Sequence, residues 1–191
     1  MSTNVLGVDI GGVIIDRIND NTDTSFFTEN FLRTTPVSGV FVALRTLVDT
    51  HYGDRVFLVS KCGQAVQAKT FQWLDHYDFY RLTGIRRDHV YFCRQRSEKA
   101  GICKDLGITR FVDDRLEVLG TLLDLDVRYL FQPRPEEVKK FAHFADKVIT
   151  VQSWKEIVQQ EGWCDRFIAS LTLVYEAVFC YIGNYQYQST F

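Results

Sequence analysis

Short apolar runs alternate with amphipathic stretches along most of the chain. Runs rich in β-branched and aromatic residues predict strands at 5–9, 56–59, 89–93, 109–112 and 127–131, with a further one at 147–151. Apolar residues spaced three and four apart predict helices at 40–48, 65–76, 99–106 and 116–125, and one or two more from 154 onward. This alternation is typical of an α/β fold, in which a mainly parallel sheet of five or six strands is flanked by helices.

Polar and turn-forming residues mark the breaks between these elements. Ser38 is expected to cap the helix that follows it, and Gly53 is expected to end that helix. Asp, Asn and Thr crowd the segment near 16–37, which predicts a loop or a small inserted lobe after the first strand. Residues 1–152 are therefore predicted to form one core domain, and 153–191 a C-terminal helical and aromatic extension packed on it.

Acidic residues stand at the ends of two predicted strands. Asp9 ends the first strand, and Asp113 and Asp114 follow the fourth. Ligands of an open parallel sheet bind just beyond the carboxyl ends of the strands, where strand order reverses, so these acids are expected to share one site. Clustered carboxylates repel one another unless a cation lies between them, and an open set of oxygen ligands suits Mg²⁺. The pattern therefore predicts a magnesium site.

Hydrogen-bond donors are expected at the same edge of the sheet. Ser60 ends the second strand, where its hydroxyl is able to donate to an anion. Lys99 begins a helix, so its ammonium and the free N–H groups of that helix are both expected to face an anion. Acids that hold a metal and donors that hold anionic oxygens are the groups that phosphoryl transfer requires.

Four segments, in chain order, resemble the motifs of the haloacid dehalogenase superfamily of aspartate-nucleophile phosphohydrolases. They are VLGVDIGGVII (Val5–Ile15), VFLVS (Val56–Ser60), Lys99 and FVDDR (Phe111–Arg115), and the resemblance covers about residues 4–135. It implies a Rossmann-like fold whose strands lie in the order 5-4-1-2-3, with a minimal cap that leaves the site open. The paired acids and the compact body are most similar to the nucleotidase and polynucleotide-phosphatase branches.

The resemblance also implies a role for each matching residue. Asp9 matches the nucleophile, which attacks phosphorus and forms an aspartyl-phosphate. Lys99 matches the lysine that steadies the nucleophile and the phosphate, and Lys104, further along the same helix, competes for that role. The implied metal ligands are Asp9, Asp113, Asp114 and the backbone carbonyl of Gly11. The implied substrate-binding residues are Gly11, Gly12, Ser60 and Lys61.

One position departs from the family pattern. Phosphatases of the superfamily carry a second Asp two residues after the nucleophile, as general acid and base, and this chain has Gly11 there. General acid–base catalysis typically contributes ~10²–10⁴ in rate, so phosphatase turnover is expected to be weak even with the metal site intact. The alternative is therefore a catalytically impaired relative that keeps the fold and acts as a binding or regulatory protein.

Each feature also has a plainer structural explanation. Ser60 is also explained as a strand-end cap, Lys99 as a solvated lysine, and the paired acids as caps of the helix that follows them. Arg94 and Arg96 flank the end of the third strand, where they either face solvent or bind a substrate phosphate. A dinucleotide-binding protein is disfavoured, because the chain lacks GxGxxG after the first strand and Asp9 would repel a pyrophosphate.

Composition narrows the range of partners. The 191 residues carry 22 basic and 24 acidic side chains, a net charge of −2, which excludes binding to nucleic acid or membrane through bulk charge. The expected partner is a phosphorylated small molecule or a nucleic-acid end, and the aromatic tail favours a homodimer. Five cysteines without a CxxC pair, no visible signal peptide and no confident membrane span predict a cytoplasmic protein.

Overall fold

The structure is a computed structural model that describes residues 4–17 and 30–162. The chain separates into two compact units, Met1–Trp154 and Lys155–Phe191, and the second is described as far as Gly162. The predicted insertion near 16–37 lies partly outside the described residues. The aromatic tail from Trp163, with the homodimer expected through it, lies wholly outside them. The predicted domain boundary after residue 152 stays a prediction.

Six strands of the described residues form one sheet, in which every neighbouring pair is parallel. They are β1 (Leu6–Val8), β2 (Val56–Lys61), β3 (Val90–Cys93), β4 (Arg110–Asp113), β5 (Val127–Phe131) and β6 (Ile149–Val151). Their order is β3-β2-β1-β4-β5-β6, which confirms the order expected for the first five strands and adds β6 beside β5. Parallel neighbours need crossover connections, which is why helices separate most of the strands along the chain. The predicted Rossmann-like α/β fold is confirmed.

The same residues contain seven α-helices. They are α1 (Val40–Leu47), α2 (Gln64–His76), α3 (Phe79–Thr83), α4 (Glu98–Asp105), α5 (Leu116–Leu119), α6 (Pro135–Lys140) and α7 (Trp154–Gln160). Short 3-10 helices lie at Phe31–Arg33, Arg87–His89 and Ala142–Lys147, and a π-helical turn at Val48–Tyr52 continues α1. None of these helices is long and apolar enough to cross a membrane. The sequence analysis missed α3 and α6, because five and six residues are too few to show helical periodicity.

Two predicted helix boundaries are wrong. Ser38 does not cap α1: the residue before the helix is Gly39, in the left-handed region at φ 76°, and no side chain caps this end. The helix predicted at 116–125 ends at Leu119. The Thr121 hydroxyl donates to the carbonyl of Val118 there, and such a local bond competes with a further helical turn.

The central strand β1 is buried along its whole length. Gly7 allows β4 to approach it closely, because a Cβ at Gly7 would lie only 2.4 Å from Cδ2 of Phe111. Phe111 is itself fully buried, in an apolar cluster that also contains Leu119 and Leu130. The packing of β1 against β4 therefore depends on a position without a side chain.

Two buried tryptophans anchor the chain on either side of the predicted insertion. Trp154 donates from Nε1 to the carbonyl of Val13 at 2.9 Å, just after β1. Trp73 donates from Nε1 to the carbonyl of Thr34 at 2.8 Å, where the chain returns towards α1. Both indole rings are buried, so these N–H groups take their partners from the backbone instead of from water. The loop at the carboxyl end of β1 is held in place by these contacts.

We expect Gly7→Ala to lower the free energy of unfolding by about 1–3 kcal/mol, because the added methyl group overpacks the contact with Phe111. Gly101→Ala is the matched control. This exposed glycine of α4 has no atom of the described residues within 4 Å of its Cβ position, so alanine should stabilise the helix by up to about 1 kcal/mol. Urea denaturation of both variants measures the two shifts, and equal shifts would contradict the close β1–β4 contact.

Candidate functional site

The carboxyl ends of β1, β2 and β4 meet at a cavity of about 300 Å³. Because β1 lies between β2 and β4, this is the point where strand order reverses, and open α/β sheets bind their ligands at such points. The cavity wall includes every residue that the sequence assigned to the site: Asp9, Gly11, Gly12, Ser60, Lys61, Lys99, Asp113 and Asp114. The structure thus brings these residues together, and their chemical roles stay predictions.

Three buried carboxylates form the acidic part of the cavity. Asp9 directly follows β1, Asp113 ends β4, and Asp114 comes next. One oxygen atom from each of the three lies within 4.8 Å of the others. Like charges at such distances repel strongly in buried surroundings, where solvent screens them poorly. The cluster therefore needs cations close by.

Lys99 supplies the first of these cations. Its Nζ donates to Oδ1 of Asp9 and to Oδ2 of Asp113, at 2.8 Å in both cases, and its side chain is only 2% exposed. It is the second residue of α4, so the helix places the ammonium between the ends of β1 and β4. The Nζ atom also lies 5.4 Å from the centre of the Phe111 ring. The expected proximity of Lys99 and Asp9 is present.

Burial and ion pairing have opposite effects on the pKa values of Lys99 and Asp113. Burial alone favours the neutral amine of Lys99, but the carboxylates of Asp113 and Asp9 outweigh it and hold the pKa of Lys99 above its usual range. For Asp113 burial dominates: it raises the pKa of the carboxyl, and the Lys99 ammonium opposes that shift only in part. Lys99 is therefore charged near neutral pH, and its charge holds the two acids together.

Asp114 is paired with an arginine. Nη2 of Arg17 donates to Oδ2 of Asp114, and Nη1 of the same guanidinium donates to the backbone carbonyl of Gln132 at 3.2 Å. Nε of Arg115 lies 3.9 Å from the other carboxylate oxygen. Burial raises the pKa of Asp114, and Arg17 is the strongest influence in the opposite direction. Each of the three acids thus faces a cation of the chain itself.

The turn after β1 lies directly against these acids. Gly12 has φ 78°, and its N–H donates to the carbonyl of Ile15 at 2.8 Å. A Cβ at Gly12 would lie 2.8 Å from Oδ2 of Asp114, so the left-handed turn and the close approach both require glycine. A Cβ at Gly11, in contrast, would meet no described atom within 4 Å. Position 11 therefore has room for a Cβ, whereas position 12 does not.

Strand β2 contributes a hydroxyl and a second lysine to the wall. Ser60 is buried and lines the cavity, and Lys61 next to it is exposed at the cavity edge. Cys62 also lines the cavity, but burial raises the pKa of its thiol to about 11. A thiol with so high a pKa is protonated near neutral pH and is a poor nucleophile. Ser60 is the hydroxyl that β2 brings to the cavity wall.

The helix that carries Lys99 differs from the expectation in one respect. It begins at Glu98, and the N–H groups of Glu98 and Lys99 donate to the carbonyls of Gln95 and Arg96 at 3.2 Å each. These two amides are bonded within the chain, and the role expected of the helix N-terminus towards an anion stays a prediction. Lys104, the competing lysine, is exposed and does not line the cavity, so of these two lysines the structure places Lys99 in the wall.

The two arginines after β3 have different positions. Arg96 lines the cavity and lies 3.5 Å from the Glu117 carboxylate, whereas Arg94 is exposed and does not line it. The plainer explanation of the paired acids as caps of α5 is wrong, because the residue before that helix is Arg115 and no side chain caps this end. Oδ1 of Asp113 accepts the N–H of Arg115 at 2.9 Å, and its Oδ2 accepts from Lys99.

Arg17 is the site residue that the sequence analysis missed. It lies in the polar segment predicted as an insertion, and its partner Asp114 is 97 residues away in the chain. No local pattern connects two such positions. The two consecutive glycines, Gly11 and Gly12, predict a tight turn shortly before Arg17. They do not indicate which side chains pack against that turn.

No family model matches this chain, and no curated protein sequence matches it. Solved structures do match. D,D-heptose 1,7-bisphosphate phosphatase from Burkholderia thailandensis has a TM-score of 0.52 at 13% identity, over 83% of this chain and 97% of that chain. A protein described as a haloacid dehalogenase-like hydrolase from Burkholderia xenovorans LB400 has a TM-score of 0.48 at 15% identity, over 72% of this chain. A designed Rossmann 3x3 protein has a TM-score of 0.40 at 12% identity, over 81% of this chain and 92% of that chain.

The match to the phosphatase bears on the fold alone, since the two sequences are only 13% identical. The chain spans 63% of the length of the haloacid dehalogenase-like hydrolase that it matches, which is less than two thirds. The phosphatase, in contrast, is matched over nearly its whole length. The fold expected from the sequence resemblance is therefore confirmed, and the nucleotidase or polynucleotide-phosphatase branch stays a prediction. The chain has the Rossmann-like α/β fold that this phosphatase also has.

We expect Lys99→Met to lower the free energy of unfolding by about 3–5 kcal/mol, the usual cost of removing one partner from a buried ion pair. The reason is that Asp9 and Asp113 would remain as buried like charges. Lys104→Met is the control in the same helix, and as an exposed substitution it should change stability by less than about 0.5 kcal/mol. Urea denaturation in EDTA measures both, and a small loss in both variants would show that the ammonium does not hold the acids together.

Proposed function

We propose that the protein is a Mg²⁺-dependent phosphomonoester hydrolase that acts through an aspartyl-phosphate on Asp9. The observation that carries the proposal is the buried contact of Asp9 with Lys99, next to Asp113 and Asp114, at the switch point of the sheet. A carboxylate that attacks phosphorus needs a fixed orientation. Lys99 provides Asp9 with one through the bond to Oδ1.

The proposed nucleophilic atom is Oδ2 of Asp9. Lys99 donates to the other oxygen, Oδ1, at 2.8 Å, which restricts the rotation of the carboxylate. In the proposed reaction Oδ2 forms a bond to phosphorus, and the bond from phosphorus to the ester oxygen breaks. Water then hydrolyses the aspartyl-phosphate and restores the carboxylate. Ser60, buried in the cavity wall, is the donor proposed to orient the phosphoryl oxygens.

The residues proposed to hold Mg²⁺ are Asp9, Asp114 and the backbone carbonyl of Gly11, with Asp113 as the neighbouring acid. The donor set fits this ion, because three carboxylates offer oxygen atoms within 4.8 Å of one another and Mg²⁺ prefers oxygen ligands. When bound, the ion would offset the charge of the acids and of the transferring phosphoryl group. The buried ends of β1 and β4 would hold these oxygen atoms in place for the ion.

The proposed substrate is a phosphorylated small molecule or a nucleic-acid end. A cavity of about 300 Å³ lies at the small end of the range for ligand sites, so it suits the phosphate and its nearest atoms. Lys61, Arg96 and Arg115 bring positive charge to the wall, which favours an anionic ligand. The fold shared with a phosphatase of a heptose bisphosphate supports phosphate as the group that is cleaved.

A binding or regulatory role without efficient turnover is the second candidate, and Gly11 favours it. This residue lines the cavity at the place where the resembling phosphatases carry their general acid. A poor leaving group needs a proton as its bond to phosphorus breaks, and glycine has no side chain to provide one. In this second candidate the acids and lysine would bind a phosphorylated partner without hydrolysing it.

A phosphatase screen over many phosphomonoesters, with Mg²⁺ and with EDTA, tests the proposal. We expect Asp9→Asn to abolish Mg²⁺-dependent turnover, because an amide is a poor nucleophile and lacks the negative charge that a metal needs. Asp105→Asn makes the same change at an exposed position of α4, away from the cavity, and should leave turnover unchanged. Circular dichroism verifies that both variants are folded. Residual activity of Asp9→Asn within about 10-fold of the wild type would contradict a nucleophilic Asp9.

Gly11→Asp distinguishes the two candidates. We expect it to raise turnover of an alkyl phosphate by at least ~10-fold, and up to the ~10²–10⁴ typical of general acid–base catalysis. The cavity has room for the side chain, since a Cβ at Gly11 meets no described atom within 4 Å. A phenolic ester should gain less, because its leaving group departs without much protonation.

Gly11→Asn is the control for this substitution, since it has a similar size and cannot transfer a proton. It should leave turnover of both esters near the wild-type level. If Gly11→Asp folds, binds Mg²⁺ and gains nothing on either ester, the binding or regulatory role becomes the better explanation of the site.

A further inference from the structure

We propose that Arg17 is a built-in counter-ion of Asp114, which competes with a divalent metal for that carboxylate and so lowers the metal affinity of the site. The inference rests on the metal site of the proposed function. It concerns a residue to which that function assigns no role, although its guanidinium lies against one of the proposed metal ligands.

The guanidinium of Arg17 is held at two points. One terminal nitrogen donates to Oδ2 of Asp114, and the other donates to the carbonyl of Gln132 at 3.2 Å. The Asp114 side chain is 8% exposed and that of Arg17 is 21% exposed, so the pair is mostly shielded from solvent. Two bonds from one planar group fix its orientation, which a single bond from a lysine would not do. The positive charge is thus held on the carboxylate that a metal would use.

The backbone of Gln132, whose carbonyl accepts from Arg17, has an unusual conformation. Gln132 has φ 42°, a left-handed conformation that is uncommon for a residue other than glycine. Its N–H donates to the carbonyl of Val151 at 2.9 Å, and its side-chain amide donates to the carbonyl of Gln152 at 2.8 Å. These bonds tie Gln132 to the end of β6. The carbonyl that accepts from Arg17 is therefore held in place by the fold.

The turn after β1 is shaped to fit the same pair. A Cβ at Gly12 would lie 2.6 Å from Nε of Arg17 and 2.8 Å from Oδ2 of Asp114. Any side chain at position 12 would push the two charged groups away from each other. It would also be strained, because φ is 78° there. Gly12 and Gln132 are on different elements, and each of them independently favours the Arg17–Asp114 contact.

The charges then decide how a metal interacts with the pair. Lys99 pairs with Asp9 and Asp113, and Arg17 pairs with Oδ2 of Asp114, while Arg115 lies further away, 3.9 Å from its Oδ1. A divalent ion bound to Asp114 would lie a few ångströms from the Arg17 guanidinium, and like charges repel strongly at that range in buried surroundings. Metal binding must therefore either move Arg17 away from Asp114 or overcome this repulsion, and either cost weakens the apparent metal affinity.

Calorimetric titration of Mg²⁺ into the wild type and three variants tests the inference. Arg17→Met should bind Mg²⁺ at least about 10-fold more tightly, within the usual range of coupling between two sites. Arg17→Lys keeps the charge and should stay much closer to the wild type. Arg81→Met is the matched control: it makes the same change at an arginine that also pairs with an aspartate, Asp78, but does not line the cavity. Its affinity should stay near the wild-type value.

Melting temperatures provide a readout that requires neither substrate nor turnover. In EDTA, Arg17→Met should melt below the wild type, because Asp114 stays buried without its partner. Added Mg²⁺ should then raise the melting temperature of Arg17→Met more than that of the wild type, since tighter binding stabilises the folded state more. If Arg17→Met does not fold in EDTA, Arg17→Gln, which keeps a hydrogen-bond donor, replaces it in both measurements.

Two results would overturn the inference, and they differ in what they say of the proposed function. If the wild type binds Mg²⁺ and the neutral Arg17 variants bind it no more tightly than Arg81→Met does, Arg17 is no competitor and the proposed metal site stands. If no variant binds Mg²⁺, the inference and the metal site of the proposed function both fail.

Discussion

The ammonium of Lys99, bonded at 2.8 Å to both Asp9 and Asp113, is the interaction on which the rest of the site depends. It joins three elements, because the acids stand at the ends of β1 and β4 and the lysine belongs to α4. Buried ion groups of this kind add little net stability, since the cost of desolvation offsets much of the attraction. Their effect here is to specify one arrangement: two carboxylates can be buried side by side only where the ammonium lies between them.

The scaffold makes this arrangement possible by bringing distant strand ends to one edge. All of the paired strands are parallel in the described residues, so the carboxyl ends of β1, β2 and β4 share that edge. Close packing of Phe111 against Gly7 sets the approach of β4 to β1. The loop after β1 is anchored by the bond from Trp154 to Val13. Apolar packing thus positions charged groups that repel one another.

Charge balance links the proposed catalysis to the proposed role of Arg17. The proposed phosphoryl transfer would bring a metal and an anionic substrate into a cavity whose acids already face Lys99 and Arg17. Lys99 is buried and shared between two acids, whereas the side chain of Arg17 is ten times as exposed, at 21% against 2%. The more exposed cation is the one with more freedom to leave its acid when other charges arrive. In this view Lys99 is a constant part of the site and Arg17 an exchangeable one.

Three features could be predicted from the sequence alone: the α/β class, the alternation of strands and helices, and the position of acids at the ends of β1 and β4. These follow from local rules, because apolar periodicity and strand-end residues are visible in short windows. The bounds of β5, for example, agree with those predicted from its apolar run.

The start of α1 and the Arg17–Asp114 pair depend on contacts between distant segments, so they could not be predicted from the sequence. The chain before α1 is held by a bond from the Val37 N–H to the carbonyl of Ile14, so it must turn sharply, and Gly39 allows that turn where Ser38 was expected to cap. The Arg17–Asp114 pair joins residues 97 positions apart, and only the packing of β1 beside β4 brings them within reach. No short window of sequence contains both residues, which is why the sequence predicted the acids but not the arginine beside them.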